Sequence, residues 1–280
     1  MGKPTVFMFV ITLGFGITVD AAGAEQTVRL STINWEPYSG ESLTNHGFFS
    51  EIVTEAFLRV GYKVEFQYRS WARALEEAKT GNVHGVMDAY WKTERLEYLN
   101  YPDVVCQVKE HFIALQDHPV SYSGTLADLK NHTIGVLNAS AQADELNAAG
   151  VRTEAIGHQI QNIKKLVTGR IDAMLIPPII FFYHAERLDA RFKVPKVKVL
   201  TPPFKIYDMY VAFSKQNPDY RQLTADFNRG LQLIKADGAY VRILNKHQIQ
   251  FDEFPIAAVN SRQSTTEPLK IKPAPFRSND

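Results

Sequence analysis

Apolar and polar positions along this chain follow two periods, and their alternation predicts an α/β fold. Residues 71–78 place apolar side chains at the i, i+3, i+4, i+7 spacing of one helix face. Residues 62–68 instead alternate at period two, which is typical of a half-buried strand. Such segments succeed one another from residue 25 to about residue 247, which indicates βαβ units and mainly parallel sheets flanked by helices.

One helix–glycine–strand motif occurs twice. Thr80–Met87 reads TGNVHGVM, and Thr168–Leu175 reads TGRIDAML. In each copy an amphipathic helix precedes Thr-Gly, because glycine ends a helix in the left-handed conformation without a Cβ clash. Repetition at long spacing predicts two similar lobes with a cleft between them, and clefts are where small ligands bind.

The domain organisation follows from two apolar segments, near 108–116 and 207–214, that can carry the chain out to a second lobe and back. We predict a discontinuous first lobe (residues 25–110 and 206–255) and a second lobe at residues 111–205. Residues 256–280 are rich in Ser, Thr, Pro and charge, which predicts a disordered tail.

The N-terminus has the features of a secretory signal peptide. Lys3 precedes an apolar run from Val6 to Val19, and Ala22-Gly23-Ala24 is a small-x-small cleavage pattern. The alternative is a membrane anchor, but the run is shorter than the roughly 20 residues that span a bilayer. We therefore predict that residues 1–24 are removed and that an exported, soluble protein begins near Glu25.

Composition limits the function classes. The formal net charge is +1, which gives no electrostatic footprint for nucleic acid or an anionic membrane surface. Cys106 is the single cysteine, so no intramolecular disulfide can form, and its apolar neighbours predict a buried thiol rather than a nucleophile.

Candidate ligand-binding residues come from the carboxyl ends of the predicted strands, where ligands bind in open α/β sheets. The first lobe offers aromatic and charged side chains and the second offers uncharged polar ones: Trp35, Tyr38, Trp71, Asp88, Tyr90 and Arg95, then Asn138, Ser140 and Gln142.

Each of these candidates has an alternative interpretation. The Arg95 guanidinium suits a carboxylate, but it could instead pair with Glu94 or Glu97 at the surface. Asp88 could receive a cationic or hydroxyl group, or it could cap the following turn. The aromatic residues could stack on a ligand or pack in the core.

Motifs for catalysis, metal binding and phosphate binding are missing from the predicted mature sequence. It has no His-Glu-x-x-His, Cys-x-x-Cys, Gly-x-Ser-x-Gly or phosphate-binding glycine loop. We therefore expect no cofactor, no metal and no catalytic residue, and we expect His84 and His111 to be structural.

Several motifs in consistent order resemble the family 3 extracellular solute-binding proteins. They include Trp35-Glu36-Pro37-Tyr38, Ser70–Leu75, Thr93-Glu94-Arg95, Asn100-Tyr101-Pro102, Ile134–Leu137 and Gly169–Ala173, and the likeness covers roughly residues 27–250. The resemblance implies a two-lobed, hinged protein of the periplasm.

In amino-acid-binding members of that family, the arginine matching Arg95 clamps the ligand's α-carboxylate. Ser140 and Gln142 match positions that hydrogen-bond the ligand, and Trp35 matches an aromatic that packs over it. Two departures stand out. Asp88 and Tyr90 replace small hydroxyl residues, and Pro177 replaces an acidic residue that grips the α-ammonium. An ordinary zwitterionic amino acid is thus in doubt unless Asp88 receives the ammonium.

We therefore expect a monomeric periplasmic binding protein for a small, carboxylate-bearing ligand, with an inner-membrane transporter or receptor as its partner. Two alternatives remain open. The protein could be a soluble sensory subunit, or it could be a dehydratase-like enzyme on the same fold, with Asp88 or Glu36 as general acid.

Overall fold

A computed structural model describes residues 26–189, 192 and 194–249, together with Gly2. The predicted signal peptide (apart from Gly2) and the predicted tail lie outside the described residues. The strands are β1 Gln26–Thr32, β2 Tyr62–Tyr68, β3 Gly85–Tyr90, β4 Leu99–Asn100, β5 Cys106–Leu115, β6 Thr133–Leu137, β7 Arg152–Ile156, β8 Ala173–Ile176, β9 Val197–Val199 and β10 Lys205–Ser214. The helices are α1 Phe48–Leu58, α2 Trp71–Lys79, α3 Ala141–Ala148, α4 Gln159–Val167, α5 Pro178–Ala185, α6 Tyr220–Ala236 and α7 Ala239–Lys246.

The strands run in the order β2-β1-β3-β10-β5-β8-β6-β7, with β4 beside β10 and β9 beside β5. Pairing is parallel within β2-β1-β3 and within β8-β6-β7, and antiparallel wherever β5 or β10 takes part. Two parallel units are thus joined through two long antiparallel strands. The predicted fold class, two α/β lobes with mainly parallel sheets, is confirmed.

The first lobe is held by aromatic packing between helices and sheet. Phe57 lies 5.2 Å from Phe227 and 6.0 Å from Phe213, measured between ring centroids. Where α1 and α6 cross, Gly230 lets the backbones meet, because a Cβ at that position would lie 1.9 Å from the carbonyl oxygen of Ala56. This close packing fixes the helices behind the strands that carry the site.

The repeated Thr-Gly motif ends α2 and α4 as predicted. Gly81 and Gly169 have φ values of 77° and 68°, in the left-handed region. The strands that follow the two glycines begin at Gly85 and Ala173. The motif therefore delivers β3 and β8 to equivalent places in the two lobes.

Four elements have no counterpart among the predicted ones. They are the short strands β4 and β9, the strand β7, and the helix α5, which begins at Pro178. Proline is favoured in the first turn of a helix because its missing N–H needs no partner there.

The lobe boundaries at 110/111 and 205/206 stay a prediction, since β5 and β10 take part in both halves of the sheet. Within the described ranges, no helix combines the length and the hydropathy needed to cross a bilayer.

Candidate functional site

The carboxyl ends of β3, β6 and β8 meet at a cavity of about 30 Å³ between the lobes. Such a volume holds only one or two water molecules. A molecule of amino-acid size is much larger, so its binding requires the lobes to separate. The cavity is lined by Ile33, Trp35, Trp71, Asp88, Tyr90, Arg95, Val136, Leu137, Ser140, Ala141, Gln142, Gln159 and Leu175.

Arg95 is a buried cation with neutral partners. It lies in the 3-10 turn Thr93–Glu97, and only 5% of its surface is exposed. Its guanidinium donates to the carbonyl oxygens of Tyr90 and Ala139 at 3.1 and 3.2 Å, and it lies 5.4 Å from the centre of the Trp71 ring. In the described part of the chain no carboxylate lies within ion-pair distance of Arg95. The surface pairing with Glu94 or Glu97 is therefore not what the structure shows.

Asp88 is a buried carboxylate held by hydroxyl groups. It has φ of 60° within β3, a conformation that costs a non-glycine residue energy. Its Oδ2 accepts hydrogen bonds from the hydroxyls of Thr32 and Ser39. Its Oδ1 has no hydrogen-bond partner among the described residues. Burial raises the pKa of Asp88 to about 6, although both hydroxyls lower it.

Glu110 is a second buried carboxylate, and the sequence-based predictions missed it. It lies on β5 with 1% exposure, and its Oε1 accepts from the Tyr90 hydroxyl at 2.9 Å and from Gln142 Nε2 at 2.6 Å. Its Oε2 is buried and unpartnered within the described ranges. Burial raises the pKa of Glu110 to about 7 against the two hydrogen bonds. The sequence did contain a signal for its burial: Glu110 lies in the same alternating phase as the apolar residues Val108 and Phe112 of this strand.

Aromatic rings form one wall of the cavity. The Trp35 ring lies 6.1 Å from that of Tyr90, which stacks on Tyr207 at 4.5 Å. The Nε1 of Trp35 is buried without a partner in the described residues. The Nε1 of Trp71 donates to the carbonyl oxygen of Ala139 at 3.1 Å. Both tryptophans line the cavity, and one of their two indole donors has no partner among the described residues.

The second lobe contributes neutral polar groups. Ser140 is the N-cap of α3, and its hydroxyl accepts from the backbone N–H of Ala143 at 3.1 Å. Gln142, the second residue of that helix, reaches across to Glu110. Gln159, at the start of α4, has a buried Oε1 without a partner among the described residues. Gln159 was also missed, because a polar residue at a helix start is usually solvated.

The two lobes touch through these same side chains. Arg95 and Trp71 reach the carbonyl oxygen of Ala139, Gln142 reaches Glu110, and His184 Nε2 lies 3.3 Å from Glu36 Oε2. The structure is therefore a closed arrangement of the lobes. A bound carboxylate would have to take over the donors that now serve the Ala139 carbonyl oxygen.

A family model for bacterial extracellular solute-binding proteins, family 3, matches residues 30–250. The chain belongs to this family. The solute-binding protein is 22% identical over 258 residues to the lysine/arginine/ornithine-binding periplasmic protein of Escherichia coli K12, covering 88% of this chain and 96% of the relative.

Solved structures share the fold of this solute-binding protein. An ancestral arginine-binding protein bound to arginine is similar with a TM-score of 0.66 at 21% identity, covering 79% of this chain and 97% of that one. A histidine kinase sensor domain with similarity to periplasmic binding proteins gives a TM-score of 0.70 at 17% identity, covering 79% and 96%. These likenesses show the fold.

The structure brings most of the predicted site residues together. Seven of the nine line the cavity: Trp35, Trp71, Asp88, Tyr90, Arg95, Ser140 and Gln142. Their contact with a ligand stays a prediction.

Tyr38 and Asn138 are the two predicted site residues that do not line this cavity. Tyr38 is 1% exposed and packs between Trp35 and Phe48, with ring centroids 4.8 Å from each. Asn138 is exposed, and its backbone N–H continues the ladder to the Ile156 carbonyl oxygen at 2.9 Å. Position near a strand end does not by itself determine whether a side chain points into the cavity, into the core or into solvent.

The remaining candidates have structural roles. His84 Nδ1 accepts from the backbone N–H of Arg29 at 3.0 Å, and His111 Nδ1 lies 3.0 Å from the Leu200 carbonyl oxygen. Cys106 is buried, as predicted. Pro177 is the N-cap of α5 and offers no hydrogen-bonding side chain.

Proposed function

We propose that this protein captures, in the periplasm, a small molecule bearing both a carboxylate and a cationic amine or guanidinium group, and delivers it to an ABC-type transporter of the inner membrane. One observation carries the proposal. The cavity is lined by a buried guanidinium, Arg95, and a buried carboxyl group, Asp88, and a second buried carboxyl group, Glu110, touches the lining residues Tyr90 and Gln142. The hydrogen-bond partners of all three groups among the described residues are neutral. Unpaired buried charges are costly, and a ligand of opposite charges would pair them.

The carboxylate would bind Arg95. The guanidinium is buried and lies over the Trp71 ring, and its hydrogen-bond partners among the described residues are neutral groups, including the carbonyl oxygens of Tyr90 and Ala139. Replacing a neutral acceptor by a carboxylate gives a charge-assisted hydrogen bond, which is roughly twice as strong. As the lobes open, the Ala139 carbonyl oxygen leaves and a ligand carboxylate can occupy its place.

The cationic group would bind beside Asp88, which lines the cavity, with Glu110 contributing through its contacts with the lining residues Tyr90 and Gln142. Each carboxylate has one oxygen engaged by hydroxyl or amide donors and one buried oxygen without a partner in the described part. A cation at these oxygens favours the ionised forms and lowers both pKa values. Asp88 would thus replace the acidic residue that Pro177 removes. The relatives named as binding lysine, arginine and ornithine, or arginine, make a basic amino acid the leading candidate.

The test is a calorimetric titration of the mature chain, unfolded and refolded to remove any ligand carried through purification. The compounds are L-arginine, L-lysine, L-ornithine and L-glutamine, with agmatine lacking the carboxylate and succinate lacking the cation. Binding of a basic amino acid, at least tenfold tighter than agmatine and succinate, supports the proposal. Equal binding of succinate, or a preference for it, would refute the cation site.

Arg95→Ala tests the carboxylate clamp separately. We expect at least tenfold weaker affinity, about 1.4 kcal/mol, because the charge-assisted bonds are lost. Arg73→Ala is the control, since the Arg73 side chain is 69% exposed and pairs with Glu77 on the same helix. Unchanged affinity in Arg95→Ala would remove this residue from the site.

Delivery to a transporter and docking on a sensory receptor use the same ligand-bound state, so binding alone does not separate them. The sensor domain among the structural relatives makes signalling the second candidate. Cross-linking of the liganded protein to inner-membrane vesicles, followed by identification of the partner, separates the two. A transporter permease supports delivery, and a receptor kinase would replace it.

A lyase on the same fold is a weaker candidate, and the raised pKa values of Asp88 and Glu110 favour it. A carboxylic acid that titrates near neutrality can act as a general acid. Incubation with cyclic carboxylic acids, followed by chromatography, would reveal product. A binding protein returns its ligand unchanged.

A further inference from the structure

A cluster of two histidines and an aspartate lies in the second lobe, away from the cavity between the lobes. His118 follows β5, His132 directly precedes β6, and Asp172 directly precedes β8. One donor atom from each side chain lies within 4.8 Å of the other two. Because the cavity lies at the carboxyl ends of β6 and β8, the cluster lies at the opposite edge of the sheet.

We propose that His118, His132 and Asp172 form a binding site for a divalent transition-metal ion, of which Zn²⁺ is the best match. Imidazole nitrogens and a carboxylate oxygen are ligands that Zn²⁺ takes in proteins. Three protein ligands leave a fourth tetrahedral position for water.

The three donor groups lie close enough to share one ion. His118 Nε2 lies 3.1 Å from Asp172 Oδ1, and His132 Nδ1 lies 3.7 Å from Asp172 Oδ2. Ligands of a tetrahedral zinc ion with bonds of about 2.0–2.1 Å are about 3.3 Å apart. Small side-chain rotations therefore bring the donors to a common centre.

The carboxylate is oriented by the repeated motif. The backbone N–H of Asp172 donates to the Thr133 carbonyl oxygen at 3.0 Å, and Asp172 Oδ2 accepts from the Thr133 N–H at 2.7 Å. In the first lobe His84 makes the same pair of bonds with Arg29, at 2.9 and 3.0 Å. At this position of the motif, the contact with the neighbouring strand thus needs only one side-chain acceptor atom. Asp172 has a second oxygen, Oδ1, and it lies beside His118.

The histidines are also held in place while staying accessible. The backbone N–H groups of His118 and His132 donate to the Leu115 and Leu129 carbonyl oxygens at 3.1 and 3.0 Å. The three side chains are 21–31% exposed, so an ion can enter from solvent. The nearby Lys198 ammonium donates to the His118 carbonyl oxygen at 2.7 Å, so this cation is bonded to the backbone rather than to Asp172.

The test is a calorimetric Zn²⁺ titration of the mature, tag-free chain after dialysis against a chelator. We expect one high-affinity ion per chain, and at least tenfold weaker affinity in His118→Ala and in His132→Ala. His158→Ala is the control, because His158 is an exposed histidine of the same lobe. Asp172→Asn keeps an acceptor for the Thr133 N–H but loses the charge, so it should fold normally and bind Zn²⁺ more weakly.

Histidine ring NMR signals of the unaltered chain provide a measurement that does not depend on variant folding. Of the eight histidines in the full sequence, two should shift on addition of one equivalent of Zn²⁺. Protons compete with the metal for imidazole nitrogens, so acidification should reverse these shifts. Absence of Zn²⁺ binding, or the same affinity and stoichiometry in all three histidine variants, would overturn the proposal.

Discussion

Asp88→Asn should raise stability and lower ligand affinity at once. Asparagine keeps an oxygen for the hydroxyls of Thr32 and Ser39 but removes the buried charge. A residue kept for packing behaves differently, because its replacement lowers stability. Natural binding sites hold such destabilising groups where function needs them.

The magnitude follows from the pKa of Asp88, which burial raises from 3.8 to about 6. A shift of about two units corresponds to about 3 kcal/mol against the charged form. Between pH 4 and 6 the folded state keeps a proton that the unfolded state releases, so the free energy of unfolding falls as pH rises. Above about pH 6 the whole cost is present. The asparagine variant lacks this contribution.

Urea unfolding followed by tryptophan fluorescence measures the free energy of unfolding at pH 4, where Asp88 is protonated, and at pH 8, where it is ionised. We expect Asp88→Asn to exceed the unaltered protein by up to about 3 kcal/mol at pH 8 and to be nearly equal to it at pH 4. Asp117→Asn is the control, because Asp117 is an exposed turn residue, and its replacement should change neither value. Affinity for a basic amino acid should fall at least tenfold in Asp88→Asn alone.

An Asp88→Asn variant that is less stable than the unaltered chain by a similar amount at both pH values would contradict this desolvation cost. That outcome would mean that the carboxylate is a net stabilising hydrogen-bond acceptor. Greater stability at pH 8 with unchanged affinity would refute only the ligand role.

Two further predictions concern packing and reactivity. Gly230→Ala should destabilise the first lobe by about 3 kcal/mol, because its Cβ would meet the Ala56 carbonyl oxygen at 1.9 Å. Gly157→Ala, with nothing within 4 Å of its Cβ, should unfold like the parent, and equal urea midpoints in both variants would contradict the close packing. Burial raises the pKa of the Cys106 thiol well above its usual range, so a chromogenic disulfide reagent should react only in denaturant, and rapid reaction in the native state would contradict this burial.

Much of the fold could be predicted from sequence because its signals are local. The Thr-Gly pairs at residues 80–81 and 168–169 stop helices through the backbone freedom of glycine, whatever surrounds them. Apolar spacing identified α2 and β2 for the same reason. The strand β7 was not predicted because most of its residues are half-exposed and give no clear alternation. The helix α5 was not predicted because the two prolines at its start indicate the end of a strand rather than the start of a helix.

The site was predicted as far as strand ends allow. Arg95 and Asp88 follow or end predicted strands, so they could be named. The absence of an oppositely charged partner near Arg95 and Asp88 could not be predicted, because it depends on residues that are distant in the chain. Glu110 became a site residue only through contact with Tyr90 and Gln142, which approach it from different lobes.

The sequence by itself determined two α/β lobes, the family and most of the cavity lining, because helix stops, periodicity and ordered motifs are encoded by neighbouring residues. Only the tertiary structure decided that Tyr38 packs in the core, that two carboxylates lie buried with unpartnered oxygens, and that His118, His132 and Asp172 converge. The physical reason is that burial and charge pairing are properties of the space between elements. No local pattern along the chain specifies that space.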